Sequence, residues 1–273
     1  MKKLDAGINY ARYAVGELTV VALRDGQINM PASLLRQKGN RSFESEMPEQ
    51  VELIDGKLRL SVNAFLVIER DQLILIDTGA ANSLEPSYGP SMGLLLQALN
   101  EAGIAREKIE TVAFTHTHED HVNGLVTADG SDAFPNLQRL FVPKEEVPLF
   151  DNNHRLSRLR ARRTPIENGF KLSASITAIE AHGHEIGHTA YEVSSGDESL
   201  LIWGDIVHVQ TIQFARPELT WGYDTNQDDA RASRQRMFRR AIQPNCYVAG
   251  AHLAYPGVGA VTEYNDTYSY TPV

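Results

Sequence analysis

Residues 115–121 read Thr-His-Thr-His-Glu-Asp-His, so three imidazoles and two carboxylates fall within the six positions from His116 to His121. Buried without partners, such groups would cost several kcal/mol. A divalent cation offsets that cost, because neutral imidazole and carboxylate are ligands that zinc accepts. The pattern HxHxDH therefore reads as one half of a metal site, and of a site for two metals. His116 and His118 are two residues apart, so in an extended segment their side chains project to the same side and reach one ion. Asp120 and His121 are adjacent and diverge from that pair, toward a second ion, with Gly124 helping the chain turn away.

Further candidates follow other apolar runs. His182, His184 and His188 lie in the segment HGHEIGH after residues 176–179; Asp205 follows residues 200–203; His252 follows residues 247–249; Asp77 follows residues 73–76. Each has an ordinary explanation by itself. Asp77 before Thr78-Gly79 and Asp205 after its strand suit turns, and a lone His188 is more often a satisfied core histidine than a ligand. Polar groups at the ends of strands from five segments, taken together, place a shared site at one end of the sheets. Cys246 is the single cysteine. This excludes a disulfide within the chain and any multi-cysteine zinc site, and its position beside an apolar run reads as core. No serine or cysteine nucleophile is signalled.

The elements that must position these groups are mostly short strands. Residues 18–23 read as a strand ended by Asp25-Gly26, residues 58–68 and 73–76 as a hairpin, and residues 112–114 as a buried strand leading into the histidine-rich run. Short strands are also expected at 138–142, 176–179, 190–193, 200–203 and 247–249. Helical spacing marks residues 92–102, stopped by Gly103, and residues 228–242; the basic run 154–163 is also helix-compatible. Residues 31–49 read as a long surface loop with one helical turn, and loops of that length usually serve a function or lack order. Several strands follow one another without an intervening helix. The pattern predicts a mixed α/β fold in which two sheets pack together with helices outside, an αββα sandwich, in one domain spanning residues 1–273.

The chain has 273 residues, 42% hydrophobic and 22% charged, which is ordinary for a globular protein. Its formal net charge of -9 argues against nucleic acid as a partner. The arginines of residues 154–163 would spread over several faces of a helix, as on a solvated surface. Asp5, Asn9, Arg12, Gly16 and Glu17 interrupt every apolar stretch behind Met1-Lys2-Lys3, so no signal-peptide core forms, and no run reaches the ~20 apolar residues of a membrane span. A cytoplasmic location is expected, with a secreted mature form as the alternative.

The order THTHEDH, GHEIGH, WGD and AHLAYPG resembles the metallo-β-lactamase superfamily from about Gly16 onward, with LIDTG upstream and LIWGD downstream in the expected places. Within it, residues 61–67 (SVNAFLV), 73–81 (LILIDTGAA), 204–214 (GDIVHVQTIQF) and 251–259 (AHLAYPGVG) are most similar to the methyl parathion hydrolase group, with acyl-homoserine lactonases next. The resemblance implies that His116, His118 and His188 bind a first metal, that Asp120, His121 and His252 bind a second, and that Asp205 bridges them. His182 and His184 are then decoys or supporting residues, and Asp77 orients a ligand by a hydrogen bond. Two divalent ions are implied, zinc first, with manganese, iron or cobalt compatible with the same ligands.

That similarity implies a dinuclear hydrolase in which a bridging hydroxide attacks a small-molecule lactone or aryl ester, with phosphotriesters as a further substrate class. The alternatives are an organophosphate hydrolase of the methyl parathion type and a metal-binding protein without turnover. Asp120 and Asp205 are the catalytic carboxylates on this reading. His208, three residues after Asp205, could donate to a developing oxyanion, or be a partly exposed strand histidine. Tyr88 is a candidate pocket aromatic, residues 31–49 are expected to cover the pocket, and residues 147–168 to help select substrate. A homodimer is expected from the resemblance alone.

Overall fold

A computed structural model describes residues 1–84, 91–265 and 267–273; Tyr88 therefore lies outside the described residues. Along the chain run β1 (Lys2–Ala6), β2 (Tyr10–Val15), β3 (Leu18–Pro31), β4 (Leu35–Gln37), β5 (Arg41–Ser42), β6 (Lys57–Glu69), β7 (Gln72–Ile76), α1 (Leu95–Glu101), β8 (Thr111–Ala113), α2 (Glu119–Val122), β9 (Arg139–Pro143), α3 (Val147–Asn152), β10 (Arg163–Ile166), β11 (Ile176–Glu180), β12 (Thr189–Ser195), β13 (Glu198–Ile202), α4 (Gln210–Gln213), β14 (Thr220–Trp221), α5 (Gln227–Ala241), β15 (Cys246–Ala249), β16 (Val258–Tyr264) and β17 (Thr267–Pro272). One sheet has the order β1-β2-β3-β6-β7-β8-β9-β10, a second β11-β12-β13-β15-β16-β17, and a small third sheet β14-β4-β5.

Alternation along the central strands explains why two layers form on each sheet. In β3, Val20 and Ala22 face the second sheet while Val21 and Leu23 face the other way; in β6, Phe65 and Val67 alternate with Ala64 and Leu66. Successive side chains of a strand point to opposite faces, and strands apolar on both faces must be covered on both. The inner layer joins Val20, Phe65, Ile74 and Ile76 to Ile176, Tyr191, Leu200 and Ile202 of the second sheet. The outer face of the first sheet is covered by Leu95, Ala98 and Leu99 of α1 with Phe134, Phe150 and Leu156. The outer face of the second is covered by Met237, Phe238 and Ala241 of α5, packed on Trp203, Phe214 and Val248. This is the αββα sandwich. Each large apolar side chain so buried contributes about 1.5–3 kcal/mol.

The expected hairpin is present as β6 and β7, with Phe65 opposite Ile76 and Glu69 opposite Gln72. Two expectations are corrected. The strand beginning at Leu18 does not end at Asp25-Gly26 but continues to Pro31 through a bulge between Arg24 and Gly26. Gly26 has φ 150, and a Cβ there would lie 1.9 Å from Ser91 O, so the glycine serves a close approach of another segment. Residues 31–49 are likewise not a loop with one turn: they contain β4 and β5, which pair with each other, and β4 pairs with β14 across Leu35 and Trp221. The basic run forms a 3-10 helix, His154–Arg162, that buries Leu156 and Leu159. Its arginines meet local partners, Arg158 on Asp132 and Arg155 on the carbonyl of Val126, as for a surface helix. Among the described residues no helix is long and apolar enough to cross a membrane.

Candidate metal centre

Parallel pairing sets the site. β7 and β8 run parallel in one sheet, and β13 and β15 run parallel in the other. Their C-terminal ends therefore open at the same end of the sandwich. Asp77 leaves β7; Thr115 to His121 leave β8 into the short helix α2; Asp205 leaves β13; His252 leaves β15. The β11–β12 connection contributes residues 181–188 at the same place, held by Thr189 N donating to Thr115 O at 2.8 Å.

Asp205 is the hub. Its Oδ2 lies 3.0 Å from His252 Nε2, 3.2 Å from His184 Nε2, 3.2 Å from His208 Nε2 and 3.8 Å from His116 Nε2, and its Oδ1 lies 3.2 Å from His121 Nε2. Asp120 Oδ2 stands 3.5 Å from His252 Nε2 and 3.6 Å from His121 Nε2. His118 points Nδ1 inward, 3.1 Å from His184 Nε2. Three ligand groups result among the described residues, each with ligand atoms within 4.8 Å of one another: His116, His118, His184 and Asp205; Asp120, His121 and His252; and Asp205, His208 and His252. The sequence-predicted residues His116, His118, Asp120, His121, Asp205 and His252 are thus brought together.

His188 is in none of these groups, so the structure does not bring it to the first-metal place where it was expected. Its Nε2 accepts the backbone N–H of Asp205 at 3.0 Å and its Nδ1 donates to Ala181 O at 3.0 Å, so both ring nitrogens are engaged. Gly204 permits that contact: with φ 55, a Cβ there would stand 2.7 Å from His188 Nε2. His184, read as a decoy, takes the inward place instead. His182 lies 3.6 Å from Glu180 and away from the cluster.

The ring orientations are fixed from behind. Asp77 accepts from His121 Nδ1 at 2.8 Å and from Thr115 N and Oγ1 at 2.8 Å each. Asp224 sits 2.7 Å from His184 Nδ1, Glu185 sits 2.8 Å from His118 Nε2, and Ser61 O accepts from His252 Nδ1 at 2.8 Å. Each partner holds one ring nitrogen and leaves the other to face inward, as metal-binding histidines require. Glu146 joins the two histidine-bearing loops, accepting from Thr117 Oγ1 at 2.6 Å and Gly187 N at 2.8 Å. Asp224, Glu146 and Glu185 were missed in the sequence. Their partners lie 29 to 67 residues away, and no local pattern marks them.

The donor set fits divalent cations. His116 Nε2, His121 Nε2, Asp205 Oδ1 and both nitrogens of His208 are buried without a hydrogen-bond partner, an unusual concentration of orphaned groups. Protonation follows the crowding. Burial opposes the charged form of Asp205, yet His252, His121 and His116 outweigh it and hold the carboxyl well below the usual range. Burial also opposes charge on His184, but Asp205 and Asp224 push it up to about 10. Burial brings His208 down to about 4 and His188 to about 3. Protons thus balance charge that divalent cations would balance at the same atoms.

The cluster floors a cleft of about 270 Å³. His118, Glu119, Asp120, His184, Asp205, His208 and His252 form the polar floor, and Ile28, Met30, Leu60, Leu84, Trp221 and Tyr223 the walls. His208 is buried, not partly exposed, and stacks on Trp221 with centroids 4.8 Å apart and planes at 10°. Among the described residues, neither 31–49 nor 147–168 lines this cleft; the first supports it indirectly, through β4 pairing with Trp221.

The curated proteins contain no significant match to the sequence. Among solved structures, the chain is similar to a hydrolase, AbOPH, of the β-lactamase superfamily (27% identity, 98% of this chain and 99% of that one, TM-score 0.83). It is similar to AidC, a dizinc quorum-quenching lactonase solved with a product N-acyl-L-homoserine (24%, 97% and 97%, 0.82). It is also similar to a probable metal-dependent hydrolase from Staphylococcus aureus (18%, 96% and 99%, 0.77). The profile of the metallo-β-lactamase superfamily matches residues 58–252. That span runs from β6 to His252 and takes in every cluster residue described above, so the chain belongs to the metallo-β-lactamase superfamily.

Proposed function

We propose that this protein is a metal-dependent hydrolase of uncharged ester-type substrates, lactones and aryl esters first. The supporting observation is the junction of two surfaces in one cleft: a floor of histidines and carboxylates around Asp205, and an apolar wall without a cation. No Lys or Arg lines the cleft among the described residues, and residues 85–90 (EPSYGP) contain none. Away from the metal ligands, a carboxylate or phosphate group remote from the scissile bond would meet only this apolar wall and no Lys or Arg. A neutral acyl or aryl group instead removes apolar area from water against Ile28, Met30, Leu60 and Trp221. AidC is described as a lactonase and AbOPH as a hydrolase, which agrees with this choice.

We assign a first cation to His116, His118 and His184, a second to Asp120, His121 and His252, and Asp205 to both. Zinc suits this donor set best. Bound there, a pair of divalent ions supplies a water ionised at neutral pH and a Lewis acid for the scissile carbonyl. Asp120 is placed to orient or accept the proton of the attacking water. His208 lines the cleft between Asp205 and Trp221 and donates to the oxygen on which charge develops. Asp77, Asp224 and Glu185 keep the imidazoles in the tautomers that leave inward lone pairs.

Metal analysis combined with a panel of dihydrocoumarin, N-acyl homoserine lactones, p-nitrophenyl esters and paraoxon, each with and without chelator, tests the assignment. Chelator-sensitive turnover of a lactone or aryl ester is expected. Turnover confined to paraoxon would identify an organophosphate hydrolase, which the same uncharged wall accommodates. Metal binding without turnover on any of them would refute the enzyme reading.

A further inference from the structure

Arg234, on α5, is fully buried, and among the described residues no carboxylate lies at ion-pair distance from its guanidinium, Asp224 acting on it only from farther away. Taking such a charge out of water costs several kcal/mol. Its donors go to three carbonyls of a single excursion of the chain: Nε to Ile206 O at 2.6 Å, and Nη1 to Pro217 O at 3.2 Å and to Leu219 O. Ile206 is the residue after Asp205. Leu219 is two residues before Trp221. The rigid fork of the guanidinium therefore spans from the hub of the metal cluster to the aromatic wall of the cleft. Gln213 reinforces it from α4: Oε1 accepts from His208 N at 2.8 Å and Val209 N at 2.9 Å, while Nε2 donates to the same Leu219 O at 3.0 Å.

We propose that Arg234, with Gln213, is a specificity-determining positioning pair that sets the distance between the metal cluster and the Trp221 wall, and with it the width of the substrate cleft. The other anchors of this wall tie it to β4 and to the start of α5: Gly222 N donates to Leu34 O at 2.7 Å, Trp221 O accepts from Gln227 Nε2 at 2.7 Å, and β14 pairs with β4. Trp221 stacks on His208, and His208 stacks on His252 with centroids 5.1 Å apart. Its backbone N donates to Asp224 Oδ2 at 2.7 Å, and its strand β14 is two residues long. Loosening the carbonyls at residues 217 and 219 lets that wall drift while the ligands, held from behind by Asp77, Asp224 and Ser61, stay in place.

The test is Arg234→Lys in the metal-loaded protein, since an ammonium cannot reach both ends of the excursion. With 5-fluorotryptophan incorporated, Trp203 and Trp221 give two fluorine resonances, assigned by Trp221→Phe. The Trp221 line is expected to shift or broaden, the Trp203 line to hold, and metal content to equal that of the parent. On a neutral ester, KM is expected to rise about tenfold with kcat within about twofold. The kinetic arm rests on the hydrolase reading; the fluorine arm does not, so the two can fail separately. An unmoved Trp221 line in folded protein overturns the proposal, as does loss of kcat in step with metal. If Arg234→Lys does not fold, Gln213→Leu, which releases Leu219 O from the other side, is judged by the Trp221 line and metal content alone, because it also frees His208 N and Val209 N.

Discussion

The contrast between His184 and His188 makes the sharpest prediction. Both lie in GHEIGH, four residues apart, and both are buried. His184→Ala removes an inward imidazole from the first ligand group; His188→Ala removes none. Replacing His188 leaves two buried backbone groups, Asp205 N–H and Ala181 O, without their partners at 3.0 Å. Each orphan costs about 1–3 kcal/mol, so the loss is roughly 2–6 kcal/mol against the 5–15 kcal/mol of a typical domain. At about 2–4 °C per kcal/mol for a chain of this size, Tm should fall by roughly 5–20 °C while two metals per chain remain. His184→Ala should instead retain about one metal per chain and lose at least ~100-fold in turnover, with a smaller change in the Tm of metal-stripped protein. The assay is metal content by mass spectrometry after dialysis against a weak chelator, with thermal melts of loaded and stripped forms. A His188 variant that loses one metal while the His184 variant keeps two would refute the assignment and the reasoning from ring orientation behind it.

Three further outcomes follow from the same geometry. His208→Ala should reduce turnover about 100-fold, the scale for loss of one oxyanion donor, with metal content unchanged; parental turnover would show that His208 only packs against Trp221. Asp77→Ala frees His121 Nδ1 and leaves Thr115 N unpaired, so the affinity for one of two metals should fall about 10–100-fold in chelator competition, and equal affinity would contradict the role given to Asp77. Asp25 is fully buried and its carboxyl is pushed up to about 6 by burial, against the backbone N–H groups of Ala80 and Leu95 that lower it. Between the ordinary value of 3.8 and about 6 the folded state holds more protons than the unfolded. The stabilising effect of that proton is full below about pH 4 and lost as pH rises through about 6. Relative to Asp25→Asn, the parent should lose roughly 3 kcal/mol across that window; parallel stability profiles in denaturant titrations would exclude this titration.

The α5 helix, the β6–β7 hairpin and the strands that end at Ile76, Ala113 and Ala249 follow from apolar periodicity, because the core rewards local patterns wherever they can be packed. The hairpin β1–β2, the pair β16–β17 and the small sheet β14-β4-β5 were not legible. Their strands are short or polar on one side, and pairing partners as distant as Leu35 and Trp221 leave no trace in a local window.

By itself the sequence determined that a metal-binding cluster exists, because the density of imidazole and carboxylate at His116 to His121 has no cheaper explanation in a folded core. It also pointed to Asp205 and His252, which stand at the ends of apolar runs and join the cluster in the structure. Only the tertiary structure distinguishes His184 from His188. The two have the same chemistry and nearly the same neighbours in sequence, and what separates them is which ring nitrogens are taken. The backbone of Asp205 and Ala181 occupies both nitrogens of His188, while Asp224, from 40 residues downstream, turns the free nitrogen of His184 inward. The cleft wall was decided in the same way, by Arg234 and Gln213 acting on carbonyls that carry no sequence identity at all.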